Sequence, residues 1–149
     1  MEITDFLTPD RVILDVRSRD KSQLIGEIAR TFGRLVPSLN TESVETALLA
    51  REQLGSTGLG AGFALPHARI EGLDTYLGLF VRVAKPVDFD AIDGKPVRLV
   101  FVLLIPSETA ISHVAALAAI SRRFRDPERV TKLAKAGSQS VAFDILTDR

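Results

Sequence analysis

The stretch Val97–Ile105 constrains this chain most. It is an almost unbroken run of aliphatic and β-branched residues, closed by Pro106. Such a run reads as a central strand buried on both faces, since a half-exposed strand would alternate apolar with polar. It is far too short to span a bilayer, which takes ~20 apolar residues in a helix. No basic-then-apolar leader opens the chain, so the expectation is a cytoplasmic protein with no membrane insertion.

Around that strand the apolar period switches between strand-like and helix-like, which gives an α/β or α+β class. Val12–Val16 reads as a first strand. Asp20 with Gln23 has the form of a capping box, followed by Leu24, Ile28, Phe32 and Leu35 on one helical face. A second helix starts near Asn40 or Thr41, with a stripe of Val44, Ala47 and Leu48 that leads to Arg51. Leu77, Leu79, Val81 and Val83 alternate as in a strand, and Asp93-Gly94 marks a turn. Ser107 is a candidate cap for a helix carrying His113, Leu117, Ile120 and Phe124. Asp126-Pro127 and Ser138 open two further helices. No repeat or linker divides the 149 residues, so one domain, 1–149, is expected.

There is no cysteine, which excludes disulfides, thiol nucleophiles and Cys-ligated metals. The 19 basic and 19 acidic residues balance, which argues against electrostatic capture of nucleic acid. Asp88, Asp90 and Asp93 do not complete a calcium loop, because Leu99 stands where the closing Glu belongs. No H-x-x-x-H zinc spacing exists, and no G-x-S-x-G elbow.

What remains is histidine chemistry. The chain has two histidines, His67 and His113. His67 follows a glycine-rich segment, Gly55-Ser-Thr-Gly-Leu-Gly-Ala-Gly62. Glycines allow backbone amides to turn toward a bound anion, and Ser56 and Thr57 add hydroxyl donors. The same residues would also serve a tight connecting loop. The segment fits neither the P-loop nor the dinucleotide fingerprint, so a phosphoryl group would arrive from another protein. Arg51, at its helix C-terminus, is placed either for the helix dipole or for paired hydrogen bonds to phosphoryl oxygens. Phe63, Leu65 and Ala68 are candidates for an apolar partner-facing rim, and Arg69 for electrostatic steering.

Taken together, Arg51-Glu-Gln-Leu-Gly-Ser-Thr-Gly-Leu-Gly60 and Gly62-Phe-Ala-Leu-Pro-His67 resemble the phosphorylation region of fructose–mannitol-type enzyme IIA domains. These belong to the bacterial phosphoenolpyruvate-dependent phosphotransferase system. Val87-Asp-Phe-Asp-Ala-Ile-Asp-Gly-Lys-Pro-Val97 carries the same resemblance, as do His113, Leu117 and Ser121-Arg-Arg-Phe-Arg-Asp126. It spans essentially the whole chain and is most similar to the stand-alone nitrogen-regulatory branch. The resemblance implies an α/β fold with a mixed β-sheet flanked by helices on both faces. It implies that His67 accepts a phosphoryl group from a histidine phosphocarrier protein, that Arg51 and His113 line the site, and that Ser56, Thr57 and Gly58 hold the phosphate. No metal, nucleotide or other cofactor is implied. The output would be regulatory protein targets; the alternatives are a IIB domain of a sugar transporter or a non-transferring interaction module. Two departures from the family pattern stand out. Ala68-Arg69 replaces the frequent Gly-Lys after Pro66-His67, and Ile111-Ser112 replaces an acidic or amide residue before His113.

Overall fold

The computed structural model describes residues 2–107 and 113–148. After two short 3₁₀ turns come β1 (Val12–Val16), α1 (Lys21–Leu35) and α2 (Thr41–Gln53). Then follow β2 (Gly58–Gly60), β3 (Phe63–Ala64), β4 (His67–Ile70), β5 (Leu77–Val87) and β6 (Val97–Pro106). The chain closes with α3 (Val114–Phe124), α4 (Pro127–Lys135) and α5 (Gln139–Thr147). The strand order is β1-β5-β6-β3-β2, and β4 also pairs with β6. β5 is antiparallel to β6, whereas β3 and β4 run parallel to it, in registers Ala64↔Val100 and His67↔Leu103. The sheet is mixed and the class is α/β, as expected.

β6 divides the core. Val100, Val102 and Leu104 face Leu24, Ile28 and Phe32 of α1 and Val44 and Leu48 of α2. Leu99, Phe101, Leu103 and Ile105 face Ile120 and Phe124 of α3, Leu133 of α4 and Leu146 of α5. Each large apolar side chain so buried contributes about 1.5–3 kcal/mol. Helices therefore cover both faces, which is why β6 carries no polar alternation.

The helix starts follow the sequence signals, with one refinement and one correction. Asp20 accepts from the Gln23 amide, but the Gln23 side chain accepts from the Arg19 amide, one residue outside the box. Asn40, Asp126 and Ser138 cap α2, α4 and α5. The helix expected after Ser107 starts later: α3 begins at Val114 with His113 in the cap position. Ile111-Ser112 lies outside the described residues.

β5 is buried on both faces, not one. Its second face carries Phe80 and, unexpectedly, Arg82 at 6% exposure. The Arg82 guanidinium donates to the carbonyls of Leu133 (3.0 Å) and Ala136 (2.7 Å), capping the end of α4, and pairs with Asp15 at 3.1 Å. Asp15 reaches it from a left-handed backbone, φ 59°, at the irregularity where β1 shifts register. Arg82→Ala is expected to destabilise the domain by about 3 kcal/mol, because it strips buried carbonyls of a charged donor. Equilibrium denaturation reads this directly.

Candidate functional site

The site forms where α2 ends and β4 begins. Arg51 stands in the last turn of α2 and its Nη1 donates to the Gly55 carbonyl at 2.9 Å. The buried stripe of α2 is Val44, Leu48 and Glu52, so the residue that continues it inward is Glu52, and Arg51 stays half-buried beside it. Past the helix, the glycine segment is not one loop. Gly58–Gly60 and Phe63–Ala64 pair as a hairpin. Its turn, Gly60-Ala61-Gly62, has φ values of 94°, 54° and 79°, a left-handed run that glycine tolerates best. Asp93 tethers this turn by accepting from the Ala61 amide at 2.9 Å. That bond and one from the Lys95 amide hold the Asp93 carboxyl below its ordinary range.

His67 opens β4 and is half-buried. Its Nδ1 lies 2.8 Å from the Leu65 carbonyl oxygen. A carbonyl only accepts, so Nδ1 carries the proton and the Nε2 lone pair of the neutral ring is left for chemistry. Burial pushes the His67 pKa below its ordinary 6.5; the charges of Arg51 and His113 push the same way, while the Leu65 bond and Glu52 oppose them. The ring is therefore neutral at pH 7. The unfolded chain binds this proton more tightly than the folded one. The stability tied to His67 is thus present above pH 6.5 and is lost as pH falls through the folded value. An NMR titration is expected to find His67 with a midpoint below 6.5, and a midpoint above it would contradict the environment described here.

His113 meets His67, which spacing alone could not establish. The ring centroids are 6.4 Å apart with planes at 44°. Arg69 is exposed, and its Nη2 lies 3.4 Å from His113 Nδ1.

Two groups of expected site residues take other places. The donors of Ser56, Thr57 and Gly58 are engaged within the protein. The Ser56 hydroxyl donates to the Phe89 carbonyl and accepts from the Gly58 amide at 3.0 Å. The Thr57 amide and hydroxyl both donate to Glu52. A Cβ on Gly58 would lie 2.9 Å from that of Ala91, so glycine here serves close packing. These three residues brace the site in this structure. Phe63, Leu65 and Ala68 are not a surface rim, because all three are buried. Phe63 stacks on Phe124 at 3.9 Å inside the core. Among the described residues, the exposed large apolar side chains are instead Leu54, Leu59, Ile92 and Val114, with Val141 on α5. Leu54 follows α2, Leu59 lies in the hairpin, and Val114 is next to His113. Ile92 sits in a charged turn, at 94% exposure, where an isoleucine has no folding role; that mismatch was the available signal.

A mixed-sheet α/β domain that holds one neutral imidazole by its Nδ1 among cationic side chains is equipped to receive an anion. The chain belongs to the family described as the phosphoenolpyruvate-dependent sugar phosphotransferase system, EIIA 2, which matches residues 5–149. The nitrogen regulatory protein of Bradyrhizobium diazoefficiens is 36% identical over 146 residues, covering 98% of this chain and 95% of that protein. The crystal structure of nitrogen regulatory protein IIA-Ntr from Neisseria meningitidis superposes with a TM-score of 0.90 at 37% identity, covering 97% of this chain and 99% of that one. The fructose-specific EIIABC component of Bacillus subtilis is 30% identical over 98% of this chain, which spans 23% of that larger protein. Among the described residues, no helix is long and apolar enough to cross a membrane.

Proposed function

We propose that this protein is a phosphohistidine carrier of the nitrogen-regulatory kind, working in the cytoplasm, with Nε2 of His67 as the acceptor atom. The observation that carries this reading is the Nδ1–Leu65 hydrogen bond, which fixes one tautomer and leaves Nε2 as the nucleophile. A histidine phosphocarrier protein supplies the phosphoryl group. The Nε2 lone pair forms the new N–P bond as the donor's N–P bond breaks, and that electron pair returns to the donor imidazole. The proton stays on His67 Nδ1, which donates it to the Leu65 carbonyl throughout. Because the transition state is loose and its charge lies on the oxygens, positioning and electrostatics are the protein's main contribution. Arg51 supplies the positive charge, and His113, oriented by Arg69, supplies a hydrogen-bond donor to the phosphoryl oxygens. The reaction needs no metal or nucleotide.

Phosphorylation adds about −1.5 to −2 charges for an ordinary phosphoester, and a phosphohistidine is similar in kind. Placed on half-buried His67, beside His113 and exposed Arg69, that charge changes the surface a regulatory target meets, so the two forms present different faces. Full-length similarity to nitrogen regulatory proteins favours this output. The fructose-specific relative supports a second reading, in which a IIB domain takes the phosphoryl group onward.

The test is a purified chain of phosphoenolpyruvate, enzyme I, a histidine phosphocarrier and this protein, followed by addition of a IIB domain. Acid-labile label that stays on this protein supports the regulatory output. Rapid discharge to IIB supports the transporter reading, and absence of label leaves an interaction module.

A further inference from the structure

Beyond the residues that face the acceptor nitrogen, a continuous set of hydrogen bonds runs behind His67. It begins at α1, where Lys21 Nζ meets Glu52 at 3.0 Å. Glu52 is 8% exposed and accepts from both the amide (3.1 Å) and the hydroxyl of Thr57. The Thr57 carbonyl accepts from the Leu65 amide at 2.9 Å. The Leu65 carbonyl accepts from His67 Nδ1 at 2.8 Å. We propose that Glu52, anchored by Lys21, is a positioning residue for phosphoryl transfer, fixing the tautomer and angle of His67 through the Thr57 and Leu65 peptides. This rests on His67 being the acceptor.

The physical need is clear from the backbone. Thr57 follows Leu54-Gly55-Ser56, an exposed turn off the end of α2 where Leu54 stands largely in solvent and a Cβ on Gly55 would meet no neighbour. Arg51 holds the Gly55 carbonyl and Ser56 the Phe89 carbonyl, while the Thr57 amide itself is gripped by Glu52. Bonds to a carboxylate are roughly twice as strong as neutral ones, so Glu52 is an effective anchor. Burying that carboxylate carries a desolvation cost, which Lys21 offsets. Lys21 is itself fixed by the Phe89 carbonyl at 3.2 Å, by Asp90 at 3.4 Å, and by the Phe89 ring 5.3 Å below it. A buried ion pair is often no more stabilising than apolar residues of the same volume, so stability alone does not account for it. The charge also reaches His67, where it favours the protonated ring against burial and Arg51.

The test compares Glu52→Gln, Thr57→Val and Thr57→Ser with the wild type, by two readouts. Ring ¹⁵N shifts of unphosphorylated His67 report the tautomer. Single-turnover transfer from phosphorylated histidine phosphocarrier, over a range of donor concentrations, reports rate and half-saturation separately. In the wild type His67 is expected as the Nδ1–H tautomer alone. Glu52→Gln and Thr57→Val should give mixed tautomers and a maximal rate lower by about tenfold, with half-saturation unchanged. Thr57→Ser, which keeps the hydroxyl, should restore both. Thr57→Val retains the ion pair, so it judges the relay even where Glu52→Gln loses the fold. A wild-type tautomer or a wild-type rate in Thr57→Val overturns the relay. Absence of transfer to the wild type itself overturns the acceptor assignment instead, and the ¹⁵N shifts still judge the relay.

Discussion

Alanine at position 67 is expected to abolish acid-labile labelling while the domain stays folded. His67 combines a free Nε2 lone pair with a neutral ring at pH 7, because its Nδ1 is committed to Leu65 and burial lowers its pKa. His113 cannot substitute. Its ring lies 6.4 Å away and its Nδ1 is oriented by Arg69, so a donor seated for in-line attack at His67 is out of line for it. The fold should tolerate the change. Deletion removes one half-buried ring and one hydrogen bond, a loss of about 1 kcal/mol, while the β4–β6 backbone register is untouched. Thermal unfolding of the variant, beside autoradiography, separates loss of chemistry from loss of structure.

Arg51→Ala is expected to slow transfer by about 100-fold, the range seen when one positioned donor is removed from a charged transition state. The guanidinium is anchored at one end on the Gly55 carbonyl and half-buried beside His67, so it meets the transferring oxygens with little reorganisation. Lysine at 51 should recover only part of the rate, since it lacks the planar fork. His113→Ala should cost less, about tenfold, because Arg51 remains. Single-turnover transfer measures all three. An Arg51→Ala rate equal to the wild type would remove that residue from the site.

These expectations trace unevenly to the sequence. β6 was legible because nothing but burial on both faces explains Val97–Ile105. The caps at Asp20, Asn40, Asp126 and Ser138 were legible because capping is local chemistry. Glu52 and Arg82 were not, since a charged residue reads as surface until its partners are known, and those partners come from distant elements: Lys21 and Thr57 for one, α4 and Asp15 for the other. The rim was misplaced for the same reason. Phe63 and Leu65 adjoin His67 in sequence, but a strand alternates and pairs, and β3 lies inside the sheet against β6. The glycine segment was ambiguous in another way, because its residues suit an anion loop and a tight hairpin equally; what resolved it was pairing with Phe63–Ala64 and the tether from Asp93. The meeting of His67 and His113 depends on β4 and the start of α3 lying at one end of β6, a property of topology and not of spacing.

The measurement that bears most directly on this account is ¹⁵N and ³¹P NMR of the phosphorylated protein with labelled histidine. The expected result is a single phosphohistidine at His67, with phosphorus coupled to Nε2 and the proton retained on Nδ1. Phosphorus on Nδ1 of His67, or on His113, would contradict the assignment of the Leu65 hydrogen bond as the feature that selects the acceptor.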